Sequence, residues 1–268
     1  MSAVLPIRMV PKLWGKARLP APFVAPPGQM IGEVWFEPPA ELGALLVKYI
    51  FTSQALSVQV HPSDAQTLAA GLGRQGKEEC WLVIAAEPGA RLAIGFREPV
   101  DAATMRAAAL DGSIEDLLEW HDVAPGDFFY IPANTVHAIG AGISLVEVQQ
   151  NSDITYRLYD YGRPRELHLD EGMAVADGGP YAPGWRRTVP VGGAVTLVDG
   201  PLFRLDRLDG PPDPATAARY AGALLVIPLD CTPTIAGEPV TAGSCGLAHA
   251  LANVSFPESG LCLIAQPV

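Results

Sequence analysis

Glycine and proline interrupt this chain so often that long helices are excluded over most of its length. The sequence holds 27 glycines and 26 prolines, about a fifth of its 268 residues, while 49% of the residues are hydrophobic. Chain-breaking residues among many Val, Leu and Ile residues favour short strands joined by tight turns. The one convincing helical stretch lies at about residues 101–120, and residues 111–113 (Asp-Gly-Ser) would divide it into two short helices. We therefore predict a mainly β protein, built as a double-sheet sandwich or barrel.

Acidic side chains outnumber basic ones in the sequence. The 29 Asp and Glu residues and 18 Lys and Arg residues give a net charge of −11, and Lys and Arg form no run. A nucleic-acid binder usually carries a basic stripe, so we expect no nucleic-acid partner. An anionic ligand would have to be held by a few local cations against the overall field of the protein.

The sequence carries no signal for a membrane or for an oxidising compartment. No apolar run reaches the ~18 residues that a membrane-spanning helix needs, and the first ten residues do not resemble a leader. The four cysteines lack CxxC spacing, which argues against a zinc ribbon or a disulfide framework. We expect a soluble cytoplasmic protein with no membrane partner, and the sequence leaves the oligomeric state open between monomer and homodimer.

A Gly- and Pro-rich stretch at residues 177–184 is the best internal boundary of the chain. We predict a first half at residues 1–176, which begins with an extended segment and contains the short helices. Residues 177–268 would form a second half of short strands, with His249 as its only histidine. A second metal site in that half is therefore not expected.

Polar side chains occur on one face of two predicted strands. Strand alternation places Ser57, Gln59 and His61 on one face, opposite apolar residues. Lys77 and Glu79 share a face at the start of the next strand. Such groups need partners if they face a barrel interior. The alternatives are an exposed face of an edge strand and a solvated ion pair.

The most informative local pattern is a hairpin that ends in a histidine. A strand after Gly126 is stopped by Pro132, Asn134 can adopt the left-handed conformation, and His137 begins the returning strand. The hairpin therefore aims one imidazole into the sheet interior. It resembles the second motif of cupins, G-x5-P-x-G-x2-H, with Asn134 in place of the second glycine.

Four ligand-type residues could meet around one cation. Gln59, His61, Glu79 and His137 supply two imidazoles, a carboxylate and an amide oxygen from three strands. This set suits a divalent first-row metal, and zinc accepts nitrogen and oxygen ligands. Two histidines with one carboxylate also form the facial triad of non-haem iron oxygenases, so both metals stay open at this point.

Several of these segments together resemble type I phosphomannose isomerase (mannose-6-phosphate isomerase). The resemblance covers about residues 31–163, roughly half of the chain. The segments that carry it are residues 56–62, 76–81, 126–137 and 152–157, together with Glu147. The combination is highly specific, although each segment alone is not. The larger members of the family have a helical domain that has no counterpart in this sequence, so the chain resembles a short bacterial form.

The resemblance implies a fold and a set of site residues. The fold would be a cupin-type double-sheet sandwich, or jelly roll, with a short helical insertion and a degenerate second cupin half. One zinc ion per chain would be the cofactor, with the ligands Gln59, His61, Glu79 and His137. The residues that would line the substrate pocket are Ser57, Lys48, Lys77, Glu147, Arg157 and Arg163. Of these, Arg163 takes the place of a phosphate-binding lysine of the family.

The implied reaction is the interconversion of mannose 6-phosphate and fructose 6-phosphate. Transfer of a proton between C1 and C2 needs a carbonyl polariser, a base and stabilisation of an enediolate. Glu147 is the first candidate base and Lys77 the second, while Arg157 could neutralise the enediolate. Ser57, Lys48 and Arg163 are candidates for the phosphate group. Two other functions stay open, an iron-dependent cupin oxygenase and a non-catalytic cupin that binds a sugar phosphate.

Overall fold

A computed structural model describes residues 3–268, and its largest layer is a seven-stranded antiparallel sheet. Its strands, in spatial order, are β1 (Ile7–Lys16), β2 (Ile31–Phe36), β3 (Leu45–Phe51), β10 (Ile143–Gln150), β5 (Glu79–Ala86), β8 (Asp127–Ile131) and β12 (Arg186–Thr188). Every residue of β3 and β10 is buried, because both faces of this sheet are covered.

A five-stranded antiparallel sheet packs against one face of the seven-stranded sheet. Its strands, in spatial order, are β11 (Tyr156–Tyr159), β4 (Val58–Val60), β9 (His137–Ile139), β6 (Arg91–Phe96) and β7 (Leu118–Asp122). Residues of both sheets, including Trp81, Val83, Leu92 and Ile94, form one buried apolar cluster. The two sheets therefore make a sandwich, and the prediction of a mainly β, cupin-type double-sheet fold is confirmed.

Short helices connect the strands, and two of them, at residues 102–111 and 169–175, pack on the outer face of the five-stranded sheet. The helices of the chain are α1 (Asp64–Ala69), α2 (Ala102–Asp111), α3 (Ile114–Leu117), α4 (Leu169–Val175) and α5 (Pro214–Ala218). The Asp101 side chain caps α2 by accepting a hydrogen bond from the Thr104 N–H (2.7 Å), and Gly112, with a φ of +89°, ends it. None of the helices formed by the described residues has the length and apolar character of a membrane span.

The helical stretch predicted to end at about residue 120 ends earlier. After α3 the chain enters β7 at Leu118, where Trp120 pairs with Ala93 of β6. The pairing partner lies far away in sequence, so local helix propensity could not reveal this strand.

Most of the remaining chain forms two further sheets; the larger packs on the other face of the seven-stranded sheet, and the smaller packs on the outer side of the larger. A five-stranded sheet contains β13 (Gly193–Asp199), β14 (Phe203–Asp209), β20 (Leu261–Pro267), β15 (Leu224–Pro228) and β18 (Gly246–Ala248). A three-stranded sheet contains β17 (Glu238–Pro239), β16 (Thr234–Ile235) and β19 (Val254–Ser255). Strand β12 lies after the predicted boundary at residue 177 but pairs with β8 of the first sandwich. The division at residues 176 and 177 stays a prediction.

Candidate metal centre and adjoining pocket

The four predicted metal ligands lie together between the two sheets of the sandwich. Gln59 on β4 pairs directly with His137 on β9, and His61 follows β4 immediately. Glu79 reaches the same point from the first position of β5 in the facing sheet. Ligand atoms of His61, Glu79 and His137 all lie within 4.8 Å of one another, and all three residues are buried.

The hairpin that carries His137 has the predicted local geometry. Asn134 adopts a φ of +73°, and its backbone N–H donates to the His61 carbonyl oxygen (2.8 Å). Its side-chain amide donates to Gln66 Oε1 (2.7 Å) on α1. These bonds join the turn before His137 to the chain just after His61, and so they fix the two imidazoles relative to each other.

Both imidazoles present an unprotonated nitrogen to the centre. His61 Nδ1 lies 2.8 Å from the Ile154 carbonyl oxygen, and His137 Nδ1 lies 2.9 Å from the Thr135 carbonyl oxygen. A carbonyl oxygen can only accept, so each Nδ1 carries the hydrogen and each Nε2 keeps a free lone pair. Burial, assisted by the charge of Lys77, lowers the pKa of His137 to about 4 and holds the pKa of His61 well below its usual range. Neutral imidazoles are the form that binds metal.

Glu79 is a buried carboxylate, and no hydrogen-bond donor among the described residues reaches its Oε1. Glu79 Oε1 lies 3.3 Å from His137 Nε2 and 3.8 Å from His61 Nε2, yet it accepts no hydrogen bond from residues 3–268. Burial raises the pKa of Glu79 to about 7. A cation between Oε1 and the two Nε2 atoms would compensate this buried oxygen, so the residues present fit a divalent metal ion.

Two polar groups complete the centre. The Gln59 Nε2 lies 3.2 Å from His137 Nε2, and Gln59 Oε1 accepts a hydrogen bond from Ser57 (3.2 Å). Half a turn of the amide exchanges its nitrogen and oxygen and would direct the oxygen at a cation. Lys77 Nζ lies 3.0 Å from His61 Nε2 and 2.8 Å from Glu79 Oε2. Burial alone would lower the pKa of Lys77, but nearby carboxylates outweigh it and raise the pKa.

A cavity of about 270 Å³ opens beside the centre. Both sheets of the sandwich contribute to its wall, and so does the chain before and after β11. The lining residues are Lys12, Trp14, Glu33, Trp35, Lys48, Ile50, Leu56, Ser57, Gln59, Lys77, Ile139, Glu147, Asp153, Thr155, Arg157 and Arg165. Polar and charged side chains dominate the wall, which suits a small polar ligand rather than an apolar one.

Glu147 is held on both of its oxygens inside this pocket. Lys48 Nζ donates to Oε1 (3.0 Å), and the Trp81 indole N–H donates to Oε2 (3.0 Å). Burial would raise the pKa of Glu147, but the charges of Lys48 and Lys77 outweigh it and lower the pKa to about 2. Lys48 is the direct cross-strand partner of Glu147 in the β3–β10 pair. Glu147 is therefore a fixed, ionised carboxylate.

The two predicted arginines have different positions. Arg157 lines the pocket, whereas Arg163 does not. The Arg163 guanidinium donates to the Ala55 carbonyl oxygen (2.8 Å), pairs with Asp160 (2.8 Å) and lies over the Tyr161 ring. Of the predicted site residues, the structure thus brings together all except Arg163.

Sequence reasoning missed part of the pocket wall. Lys12 and Trp14 on β1 and Glu33 and Trp35 on β2 line it, and so does Arg165. The only sequence pattern that indicated the four residues on β1 and β2 was their spacing of two within each strand, which places the two residues of each strand on one face. The pairing of β1 with β2, and of β2 with β3, brings that face to the pocket.

The fold and the centre define the class of this protein. Two packed antiparallel sheets that enclose a His–Glu–His cluster form a cupin-type sandwich with a centre able to hold a metal ion.

No protein-family model matches the chain. The protein is similar to the mannose-6-phosphate isomerase ManA of Bacillus subtilis, with 43% identity over 139 residues. This alignment covers 50% of the chain and 44% of the relative, so the match spans about half of that enzyme.

Solved structures extend the likeness to the whole fold. The mannose 6-phosphate isomerase of Bacillus subtilis superimposes with a TM-score of 0.79 at 22% identity, over 99% of this chain and 100% of that one. A zinc-bound mannose 6-phosphate isomerase superimposes with a TM-score of 0.70 at 16% identity, over 98% of each chain. At such identities the superpositions show the fold alone. The resemblance to type I phosphomannose isomerase that was predicted from the sequence is confirmed.

Proposed function

We propose that this protein is a zinc-dependent aldose–ketose isomerase that interconverts mannose 6-phosphate and fructose 6-phosphate. One observation carries the proposal: two neutral imidazoles and a donor-free buried carboxylate oxygen converge at the wall of a pocket rich in cations. The similarity to enzymes named mannose-6-phosphate isomerase supports the same reaction.

The metal would be held by His61, Glu79 and His137, with the Gln59 amide oxygen as the fourth ligand. Two nitrogen and two oxygen donors suit zinc, and one such cluster among residues 3–268 corresponds to one ion per chain. Bound zinc supplies Lewis-acid polarisation of the sugar carbonyl group.

The side chains of the pocket supply a proton acceptor and a proton donor. Glu147 is ionised, so it is in the form that can accept a proton from carbon. Lys77 is charged and lies against the metal ligands, where its ammonium can donate to a sugar oxygen. The Lys48 and Trp81 bonds orient the carboxylate before substrate enters, although they also weaken it as a base. We assign the proton transfer between C1 and C2 to Glu147, with Lys77 as the proton donor to the sugar oxygen.

Some features of the proposal rest on sequence alone. They are a cytoplasmic location, the absence of nucleic-acid and membrane partners, a monomeric or homodimeric state, and the division of the chain at residues 176 and 177. Each stays a prediction, and none is needed for the chemistry at the metal centre.

A coupled assay for fructose 6-phosphate formation tests the function. We expect turnover of mannose 6-phosphate by the zinc-loaded protein, loss of turnover on chelation, and recovery when zinc is added back. His137→Ala should abolish turnover and lower the zinc content. His249→Ala is the matched control, because that histidine is exposed and contacts Glu41 at 2.9 Å, outside the centre. Turnover that is indifferent to both chelation and His137→Ala would contradict the proposal, as would binding of mannose 6-phosphate without isomerisation.

A further inference from the structure

We infer that a second cavity, on the back of the seven-stranded sheet, binds an apolar carboxylate. Arg207 would hold the carboxylate group, and the apolar body of the ligand would lie between two sheets. This cavity shares no lining residue with the pocket beside the metal centre, so the site does not depend on the proposed isomerase function.

The cavity lies between the seven-stranded sheet and the five-stranded sheet that contains β14. Its volume is about 470 Å³, which is in the range of small-molecule sites. The seven-stranded sheet contributes Tyr49, Leu82 and Ile84 to the wall. Lys48, the neighbour of Tyr49 on β3, points to the other face, where it donates to Glu147. Strand alternation therefore places this cavity and the metal-side pocket on opposite faces of one sheet.

Arg207 reaches the cavity from the inward face of β14. Phe203, Leu205 and Arg207 alternate along this strand, and the first two belong to the buried apolar cluster shared with the seven-stranded sheet. Arg207 is 3% exposed and lines the cavity. A positive charge therefore occupies a position at which the pattern of the strand places apolar side chains.

Backbone carbonyl oxygens, rather than a carboxylate, bind this guanidinium. Nη1 donates to the Gly193 carbonyl oxygen (3.1 Å), and Nη2 donates to those of Pro190 and Gly192. Arg207 forms no ion pair with any of residues 3–268. Burial lowers the pKa of Arg207, and the charge of Asp209 offsets this only in part. A buried charge without a counter-charge is unfavourable, so an anion at this point would be stabilised.

Most of the remaining wall is apolar. Leu229 and Leu261 line the cavity opposite the seven-stranded sheet. Asp230 also lines it, but this residue is exposed and its Oδ1 accepts the Leu261 N–H, so its carboxylate does not neutralise Arg207. The Tyr49 hydroxyl has no hydrogen-bond partner in the described part of the chain. Burial raises the pKa of Tyr49, so the hydroxyl keeps its proton and can donate to a ligand.

This wall selects a ligand with one anionic end and an apolar body. A guanidinium has five N–H groups, and the three bonds to carbonyl oxygens leave the Nε–H and one Nη1–H of Arg207 for a carboxylate. A neutral apolar molecule would leave the charge of Arg207 uncompensated. A sugar would leave its hydroxyl groups unpaired against the apolar wall.

Isothermal titration calorimetry with octanoate, octanol and octylamine tests the site, because the three probes share an alkyl chain and differ in charge. We expect the zinc-loaded protein to bind octanoate, and to bind octanol and octylamine at least tenfold more weakly. His137→Ala should bind octanoate with unchanged affinity. Loss of octanoate binding in His137→Ala would place the carboxylate at the metal centre and overturn the inference.

Substitutions of Arg207 test the role of its charge. Arg207→Met keeps much of the side-chain length, and we expect it to bind octanoate no more tightly than octanol. Arg207→Lys should recover part of the preference for octanoate, because it restores the charge but not the planar fork. An equal preference for octanoate in Arg207→Met and in the parent protein would show that Arg207 only tethers residues 190–193, and it would overturn the site.

A second pair of variants leaves Arg207 and its carbonyl partners intact. Ile84→Trp places a larger side chain in the cavity and should weaken octanoate binding at least tenfold. Ile7→Trp is the matched control, because Ile7 is 51% exposed and does not line the cavity, and we expect it to change the affinity less than twofold. Equal affinities in these two variants, or no binding of octanoate to the parent protein, would also overturn the site.

Discussion

Replacement of Lys48 by methionine tests whether the Lys48–Glu147 contact is a buried ion pair that supports the fold. Lys48 and Glu147 are 5% and 2% exposed, and their charged atoms lie 3.0 Å apart. Methionine keeps much of the length of the lysine side chain and removes the charge. Loss of one partner leaves the other charge buried without its main counter-charge, which typically costs about 3–5 kcal/mol.

The free energy that the ionised state of Glu147 contributes to folding can also be worked from the pKa of this group. Its value in the folded chain, about 2, is below the ordinary 4.5, and the difference corresponds to about 3 kcal/mol of stability. Because the folded pKa is the lower one, this stabilisation is complete above pH 4.5 and is lost as the pH falls towards 2. In Lys48→Met the carboxyl becomes easier to protonate. The difference in the free energy of unfolding between Lys48→Met and the parent protein should therefore be largest near pH 7 and shrink below about pH 4.

Urea unfolding between pH 3 and pH 7, with a chelator present so that metal release does not contribute, measures this difference. Lys12→Met is the matched control, because its ion pair with Glu33 is partly exposed, with Lys12 at 30%. We expect Lys12→Met to cost at most about 1 kcal/mol, with little dependence on pH. An equal cost for the two variants, or a cost of Lys48→Met that does not change with pH, would refute the reasoning.

Two further predictions follow from single contacts. Trp81→Phe removes the indole N–H that donates to Glu147 and orients it. We expect the loss of orientation to outweigh the gain in basicity, so that kcat falls about tenfold or more while the zinc content stays unchanged, as the coupled assay and metal analysis would show. An unchanged or raised kcat would contradict an orienting role for this bond. Gly178→Ala would place a methyl group 1.8 Å from the Val100 carbonyl oxygen, and we expect a loss of about 3 kcal/mol in urea unfolding. Gly184→Ala is its control, with open space around the added carbon and an expected change within about 0.5 kcal/mol; equal effects of the two alanines would show that the close approach is not the cause.

The sequence predicted those parts of the structure that depend on neighbouring residues. The turn before His137 was predictable because proline and the left-handed Asn134 act over a few residues. The convergence of the four predicted metal ligands was predictable because strand alternation places each one on an inward face and the family resemblance joins them. The helix cap at Asp101 has the same local origin.

Long-range pairing and the exact path of a turn were not predictable. Trp120 belongs to a strand because Ala93 pairs with it, and nothing near Trp120 in sequence indicates that partner. The contribution of Lys12 to the pocket depends on two successive strand pairings. Arg163 and Arg165 are two residues apart in one irregular segment, and both pair with Asp160. Arg165 lines the pocket, whereas Arg163 donates to the Ala55 carbonyl oxygen, and the sequence does not indicate this difference.

The outer layers contributed by the last 80 residues have a consequence for how the chain can be shortened. Leu205, Leu225 and Leu263 lie in the same buried cluster as Val47 and Val146 of the central sheet. A fragment that ended before β13 would retain every predicted metal ligand, yet it would expose that apolar surface to water. The distal portion carries none of the predicted metal ligands, yet it covers the apolar back of the sheet that holds Glu79 and Glu147, so we expect a fragment without it to be prone to aggregation.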